Sequence, residues 1–231
     1  LGSRIKKLIL LQTSDVHSRL EPINQEGDRN YDKGGFVRRA TFVKEFRKEH
    51  PDMLLFDCGD ISQGTPYYNM FQGEVEVKMM NEMKYDAMTI GNHEFDFGLD
   101  NMARLFRMAD FPVVCANYDV TGTVLEGLVK PYVVLNRNGM KIGVFGLSPK
   151  MEGLVQADKC EGIVYNDPIA VAQKLPIVTD KEGVMSLFVF PTSVFVLRMG
   201  FATRNWRRKP KALMSFWVGI LIPLWRSLLF S

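Results

Sequence analysis

Four short apolar runs, separated by helix-like segments, each end in a polar cluster, and this repeated pattern constrains the chain more than any other feature. Leu8-Ile9-Leu10-Leu11 leads into Thr13-Ser14-Asp15, with His17 two residues further on. Met53-Leu54-Leu55-Phe56 leads into Asp57-Cys58-Gly59-Asp60, Ala87-Met88-Thr89-Ile90 into Gly91-Asn92-His93, and Val113-Val114-Cys115-Ala116 into Asn117. Short continuous apolar runs bounded by turn residues predict buried strands. Between the first two lies Phe36–Glu49. There Phe36, Val37, Ala40, Phe42, Val43 and Phe46 alternate with Arg38, Arg39, Lys44, Glu45 and Arg47, an amphipathic helix stopped by Pro51. Glu74–Met83 and Leu99–Ala109 predict two more helices, and Asn138-Gly139 between Tyr132–Leu135 and Lys141–Phe145 predicts a hairpin. Alternating strands and helices predict an α/β (or layered α+β) fold. In open sheets of that class, ligands lie at the carboxyl ends of the strands. Four strand ends would bring carboxylates, imidazoles and amides to one edge.

Composition excludes several alternatives. With 46% hydrophobic and 24% charged residues in 231, disorder, collagen and coiled coil are ruled against, and the chain is long enough to bury a substantial core. A net charge of +3 makes no case for a nucleic-acid partner. Cys58, Cys115 and Cys160 are too scattered for a disulfide framework. With only His17, His50 and His93 beside them, a structural zinc site of the cysteine/histidine type is also disfavoured. Residues 1–4 read as a processed end and stand outside the fold reading.

Asp15-Val16-His17 places a hard oxygen ligand and an imidazole two residues apart, on one side if the segment is extended. Asp60 follows a glycine that lets the backbone come close, and Asn92-His93 adds an amide oxygen and a second imidazole. A mixed N/O donor set suits zinc, manganese or iron better than calcium. Two such ions about 4 Å apart can clamp a phosphoryl oxygen and lower the pKa of a water, and a carboxylate such as Asp60 can bridge them. Each motif alone is weak, since Asp after Gly is usually a turn. The three in this order, each after a buried strand, are not easily explained as turns. His50, at a helix end before Pro51, reads as a solvated cap.

Ser14-Asp15-Val16-His17, Gly59-Asp60 and Gly91-Asn92-His93-Glu94-Phe95-Asp96 together resemble the calcineurin-like metallophosphoesterases. Glu94-Phe95-Asp96 followed by Gly98 points to the 5′-nucleotidase branch, which includes UDP-sugar hydrolases and 2′,3′-cyclic phosphodiesterases. The resemblance covers Ile5–Lys174, including Cys115-Ala116-Asn117 and the Gly143–Leu147 strand. It implies a sheet sandwich flanked by helices, two divalent metal ions such as zinc or manganese, and hydrolysis of a nucleotide or other phosphoester. It also implies an exported location, periplasmic or extracellular. Residue by residue, it implies that Asp15 and His17 bind the first metal, that Asp60 bridges, and that Asn92 binds the second. His93 would stabilise the transition state or protonate the leaving oxygen, with Asp96 orienting it. Asn117 would contact phosphate or substrate.

The family completes its metal pair with three later histidines, one after a strand and two in a Gly-His-x-His segment. This chain has no histidine after His93, so the resemblance implies a weak second site and little turnover. Residues 5–174 then form the N-terminal part of the catalytic domain, and 175–231 an aberrant tail. The tail holds all three tryptophans, and its only acids are Asp180 and Glu182. Its residues restrict its codons. Read one nucleotide earlier, Met185–Ser193 permits Asp-Val-Val-Val-Cys-Leu-Ser-His-Leu, and Met214–Pro223 permits Asp-Val-Ile-Leu-Gly-Gly-His-Thr-His-Thr. A frameshift between Gln173 and Val184 is therefore expected. The competing expectations are a hydrolase of the same fold acting on another substrate, and a non-catalytic protein associated with membrane through the apolar stretch Ala212–Leu224 behind Arg207-Arg208-Lys209, although that stretch is short for a span and Pro223 and Arg226 interrupt it.

Overall fold

The computed structural model describes residues 8–181, 186–191 and 222–223, with side chains up to Leu175. In chain order the elements are β1 (Leu10–Thr13), α1 (Phe36–Glu49), β2 (Leu54–Asp57), α2 (Pro66–Phe71), α3 (Glu74–Glu82), β3 (Ala87–Met88), α4 (Gly98–Met108), β4 (Val113–Val114), β5 (Tyr118–Asp119), β6 (Val129–Lys130), β7 (Val133–Arg137), β8 (Met140–Leu147), β9 (Val164–Tyr165), α5 (Pro168–Lys181), β10 (Ser186–Pro191) and β11 (Ile222–Pro223). A six-stranded sheet runs in the order β11-β1-β2-β3-β4-β6, every pair parallel. A second sheet has the order β10-β8-β7, and β5 and β9 form a small antiparallel pair.

The pleat explains why the strand sequences are apolar at consecutive positions. Successive side chains point to opposite faces, and both faces of the large sheet are covered. Leu11, Leu55, Met88 and Val113 pack with Phe36 and Val43 of α1, Val77 and Met80 of α3, and Met102, Leu105 and Phe106 of α4. Leu10, Leu54, Phe56, Ala87 and Val114 pack instead on Ile142 and Val144 of β8, with Val133 and Leu135 of β7 against them. Beyond the second sheet, Phe145 and Leu147 meet Leu175 and Val171 of α5. The layers are therefore helices, sheet, sheet, helix. Each large side chain buried this way contributes roughly 1.5–3 kcal/mol, which favours this layering over any arrangement exposing one face of the large sheet.

The α/β expectation holds, with local differences. The helix expected at 36–49 is α1, and the ring of His50 closes it by packing on Phe46 with centroids 4.5 Å apart. The hairpin turns through Asn138 (φ 51°) and Gly139 (φ 67°), the pair of left-handed residues that a two-residue type I′ turn requires. The short helix α2 was not anticipated. Its start is nevertheless encoded locally: Thr65 Oγ1 accepts from the Tyr68 amide (3.4 Å), and Pro66 takes the first helical position. In the tail, β10 runs parallel to β8 and β11 parallel to β1. Apart from Ile222 and Pro223, the apolar stretch Ala212–Leu224 lies outside the described residues. Among the described residues, no helix is long and apolar enough to cross a membrane.

Candidate metal centre at the strand ends

The loops after β1 and β2 stay paired past the ends of the strands. The amides of Asp15, His17 and Ser18 donate to the carbonyls of Gly59 (3.1 Å), Asp60 (3.1 Å) and Ile61 (2.8 Å). Asp15 (φ 53°), His17 (φ 42°) and Asp60 (φ 56°) all lie in the left-handed region. The segment 15–17 is therefore not extended, as the spacing alone suggested. Left-handed residues coil it, and that coiling rather than strand alternation brings its side chains together. Such conformations are unfavourable for residues other than glycine by about 1–3 kcal/mol each and persist where surrounding contacts over-determine them.

One ligand atom from each of Asp15, His17 and Asp60 lies within 4.8 Å of the other two. His17 Nε2 and Asp15 Oδ1 are 3.9 Å apart. Asp15 is exposed, His17 half-buried and Asp60 buried, so the group runs from the surface inward and is reachable from solvent on the Asp15 side. Two carboxylates and an imidazole at this separation fit a divalent cation with mixed N/O preference. Burial pushes the Asp60 carboxyl above its ordinary value, against the opposing hydrogen bond from the His93 amide. A buried carboxylate so placed is one that a cation would stabilise in its charged form.

The third loop adds the remaining expected groups. Asn92 precedes the single turn of 3-10 helix His93–Phe95. The His93 amide donates to Asp60 Oδ1 at 2.9 Å, and the His17 and His93 rings meet edge-on with centroids 5.3 Å apart. His93 Nδ1 lies 3.2 Å from Asp96 Oδ2, one turn further on. With Nδ1 as the donor in that contact, Nε2 is left available to a ligand. Asn117 lies between β4 and β5. It is fully buried, its Nδ2 donating to the Ser148 carbonyl (2.8 Å) and its Oδ1 accepting from the Ser148 amide (2.8 Å). Ser148 Oγ donates in turn to the carbonyl of Ile90, so the Asn117 side chain, as placed, buttresses the strand end that leads into Gly91.

Two buried acids beneath the site escaped the sequence reading. Asp57, at the end of β2, is 1% exposed, accepts from Thr13 Oγ1 and the Gly59 amide, and is pushed up to about 7 by burial. Glu94 is 3% exposed and is pushed up to about 8 by burial and by the neighbouring Asp60 charge. Glu94 was visible only as a letter of the motif, because nothing local shows that its carboxylate turns inward. Both cysteines near the strand ends, Cys58 and Cys115, are buried with thiols pushed up, which leaves them unreactive.

The comparisons with known proteins place the chain in a family. The family profile "Calcineurin-like phosphoesterase" matches residues 8–180. A snake venom 5′-nucleotidase of Crotalus adamanteus is 39% identical over 151 residues, 62% of this chain and 26% of that protein. The 5′-nucleotidase of Homo sapiens is 34% identical over 175 residues, 72% of this chain and 30% of that protein. Among solved structures, the 5′-nucleotidase precursor from Thermus thermophilus superposes with a TM-score of 0.73 at 32% identity, over 80% of this chain and 36% of that one. The chain thus spans about a third or less of the length of these relatives. On sequence, layering and strand-end chemistry together, the chain belongs to the calcineurin-like phosphoesterase family and is a hydrolase by lineage.

Proposed function

We propose that this chain comes from a metal-dependent phosphoester hydrolase of the 5′-nucleotidase type, converting a nucleotide to nucleoside and phosphate, and that the chain as it stands turns over slowly. The observation that carries this reading is the convergence of Asp15, His17 and Asp60 within 4.8 Å beside the His93–Asp96 pair. The names of its relatives support the substrate class, and the venom protein supports an exported, extracellular location.

Asp15, His17 and Asp60 would hold one divalent ion, and Asn92 would join Asp60 toward a second. Such an ion, when bound, supplies Lewis acidity toward a phosphoryl oxygen and a nucleophilic water at neutral pH. The chain's own residues do the rest. Asp96 fixes the His93 ring through Nδ1, so that Nε2 can donate a proton to the leaving oxygen or stabilise charge on a phosphoryl oxygen. The half-buried setting of that pair excludes part of the solvent and strengthens both contacts. Asn117 and Ser148 hold the strand end from which Asn92 and His93 project.

Phosphate release from adenosine monophosphate, with manganese or cobalt present, tests the reading. We expect slow release by the unmodified full chain and a further fall of about a hundredfold or more in His93→Gln, the usual contribution of a general acid. Equal rates in the two proteins would count against it.

A further inference from the structure

We propose that Glu94 is a positioning residue that clamps the two ligand loops and thereby sets the Asp60 carboxylate. This rests on the reading that Asp15, His17 and Asp60 hold a divalent ion. One carboxylate accepts three backbone amides from two loops: Ile61 on Oε1 (2.9 Å), and Asp60 (3.0 Å) and Gly91 (2.5 Å) on Oε2. The clasp is returned from the other side, because Asp60 Oδ1 accepts the His93 amide at 2.9 Å. Asp60 is therefore gripped at both its backbone nitrogen and its carboxylate by the single tetrapeptide Gly91–Glu94.

Neighbouring residue choices agree with this. The loops approach so closely that a Cβ on Gly59 would sit 2.5 Å from the Gly91 nitrogen, and one on Gly91 would fall on the Asp60 carboxylate. That closeness brings amides of both loops within reach of one side chain. Three converging amide donors are met by the two side-chain oxygens of Glu94, whereas the NH2 of an amide side chain would be turned as a donor against at least one of them. Aspartate would be one methylene short. Asp60 sits at φ 56°, and the clamp adds to the loop pairing with residues 15–18 in holding that conformation. Glu94 itself makes no ligand-facing contact: it is buried, and all its described bonds run to backbone.

Cobalt(II) titration of the full chain, followed by its visible absorption, tests this in the unmodified protein, in Glu94→Gln, and in Glu45→Gln on the exposed face of α1 as a control. The outer-shell role predicts a 10–100-fold weaker cobalt affinity and an altered absorption band in Glu94→Gln only. Equal affinity and an unchanged band in Glu94→Gln would overturn the inference while leaving the metal reading intact. Failure of the unmodified chain to bind cobalt would instead overturn the metal reading. The clamp is then decided by amide hydrogen exchange. If Asp60, Ile61 and Gly91 are protected in the unmodified chain, the clamp stands, and if they exchange as freely as surface turns, it falls. The same exchange measurement decides the matter if Glu94→Gln does not fold.

Discussion

Read one nucleotide earlier from a point between Gln173 and Val184, the coding DNA is expected to encode histidine at Thr192 and a Gly-His-x-His segment at Gly219–Ile222. The chain so made is expected to hydrolyse nucleoside monophosphates at least about a hundredfold faster than the present one. The expectation joins two independent lines. Codon degeneracy makes one short match unremarkable, but two matches in one shifted frame, each a strand-like run ending in histidine, do not arise easily by chance. The structure adds a placement: β10 (Ser186–Pro191) lies parallel to β8, and β11 pairs Ile222 with Leu11 and Pro223 with Gln12, next to the strand that leads to Asp15. The described parts of those two segments, Ser186–Pro191 and Ile222–Pro223, thus have backbone positions in the two sheets, with β11 beside the strand that leads to the first ligands. The magnitude follows from chemistry. Loss of partners that merely support a metal ligand lowers affinity or activity 10–100-fold, and loss of ligands lowers it further. Sequencing the DNA and assaying the re-framed chain decides it. Absent histidine codons at those positions, or equal turnover by both chains, would reject the idea.

The metal-free chain is expected to lose thermal stability steadily as pH rises from about 5 to 8, and a divalent cation is expected to remove much of that slope. Asp57 and Glu94 are the cause. Burial pushes Asp57 up to about 7 and burial with the Asp60 charge pushes Glu94 up to about 8, both from ordinary carboxylate values when unfolded. Between those values the folded chain holds protons that the unfolded chain has released. Stability is then fully present below the unfolded values and is lost as pH rises through the folded ones. A tenfold change in a group's acidity on folding corresponds to about 1.4 kcal/mol, so the combined loss is on the order of a few kcal/mol, or about 10 °C in melting temperature for a chain of this size. A cation held by Asp15, His17 and Asp60 would offset the charge on Asp60 that opposes ionisation of Glu94. Melting curves in a chelator across pH 5–8, repeated with manganese, test this. A melting temperature that is flat or rises with pH in the chelator would contradict the assignment.

Much of the scaffold was legible because its signals are local. The α1 residues carry their own apolar stripe and stop at Pro51, and Asn138-Gly139 dictates its turn. Strands β1 to β4 announce themselves as apolar runs because both faces of their sheet are covered. What was not legible depends on contacts distant in sequence. The strands β5, β6 and β9 are two residues each and take their identity from partners such as Tyr165 opposite Tyr118. The candidate ligands were legible as types, yet the reason they meet was not: left-handed Asp15, His17 and Asp60 follow from pairing between loops more than 40 residues apart. Glu94 and Asp57 were hidden for the same reason, since their partners are backbone amides that no residue type reports. Asn117 was legible as a residue at a strand end, whereas the pairing of its amide with Ser148, 31 residues away, was not.

The most direct test of the metal centre is a manganese titration of the unmodified full chain and of Asp60→Asn, read by electron paramagnetic resonance near neutral pH. Asn tolerates the left-handed backbone at that position, so the substitution removes the charge with little disturbance of the loop. We expect about one tightly held ion in the unmodified chain, with affinity lowered at least tenfold in Asp60→Asn. No bound manganese, or equal binding by both proteins, would show that these strand ends do not form a metal centre.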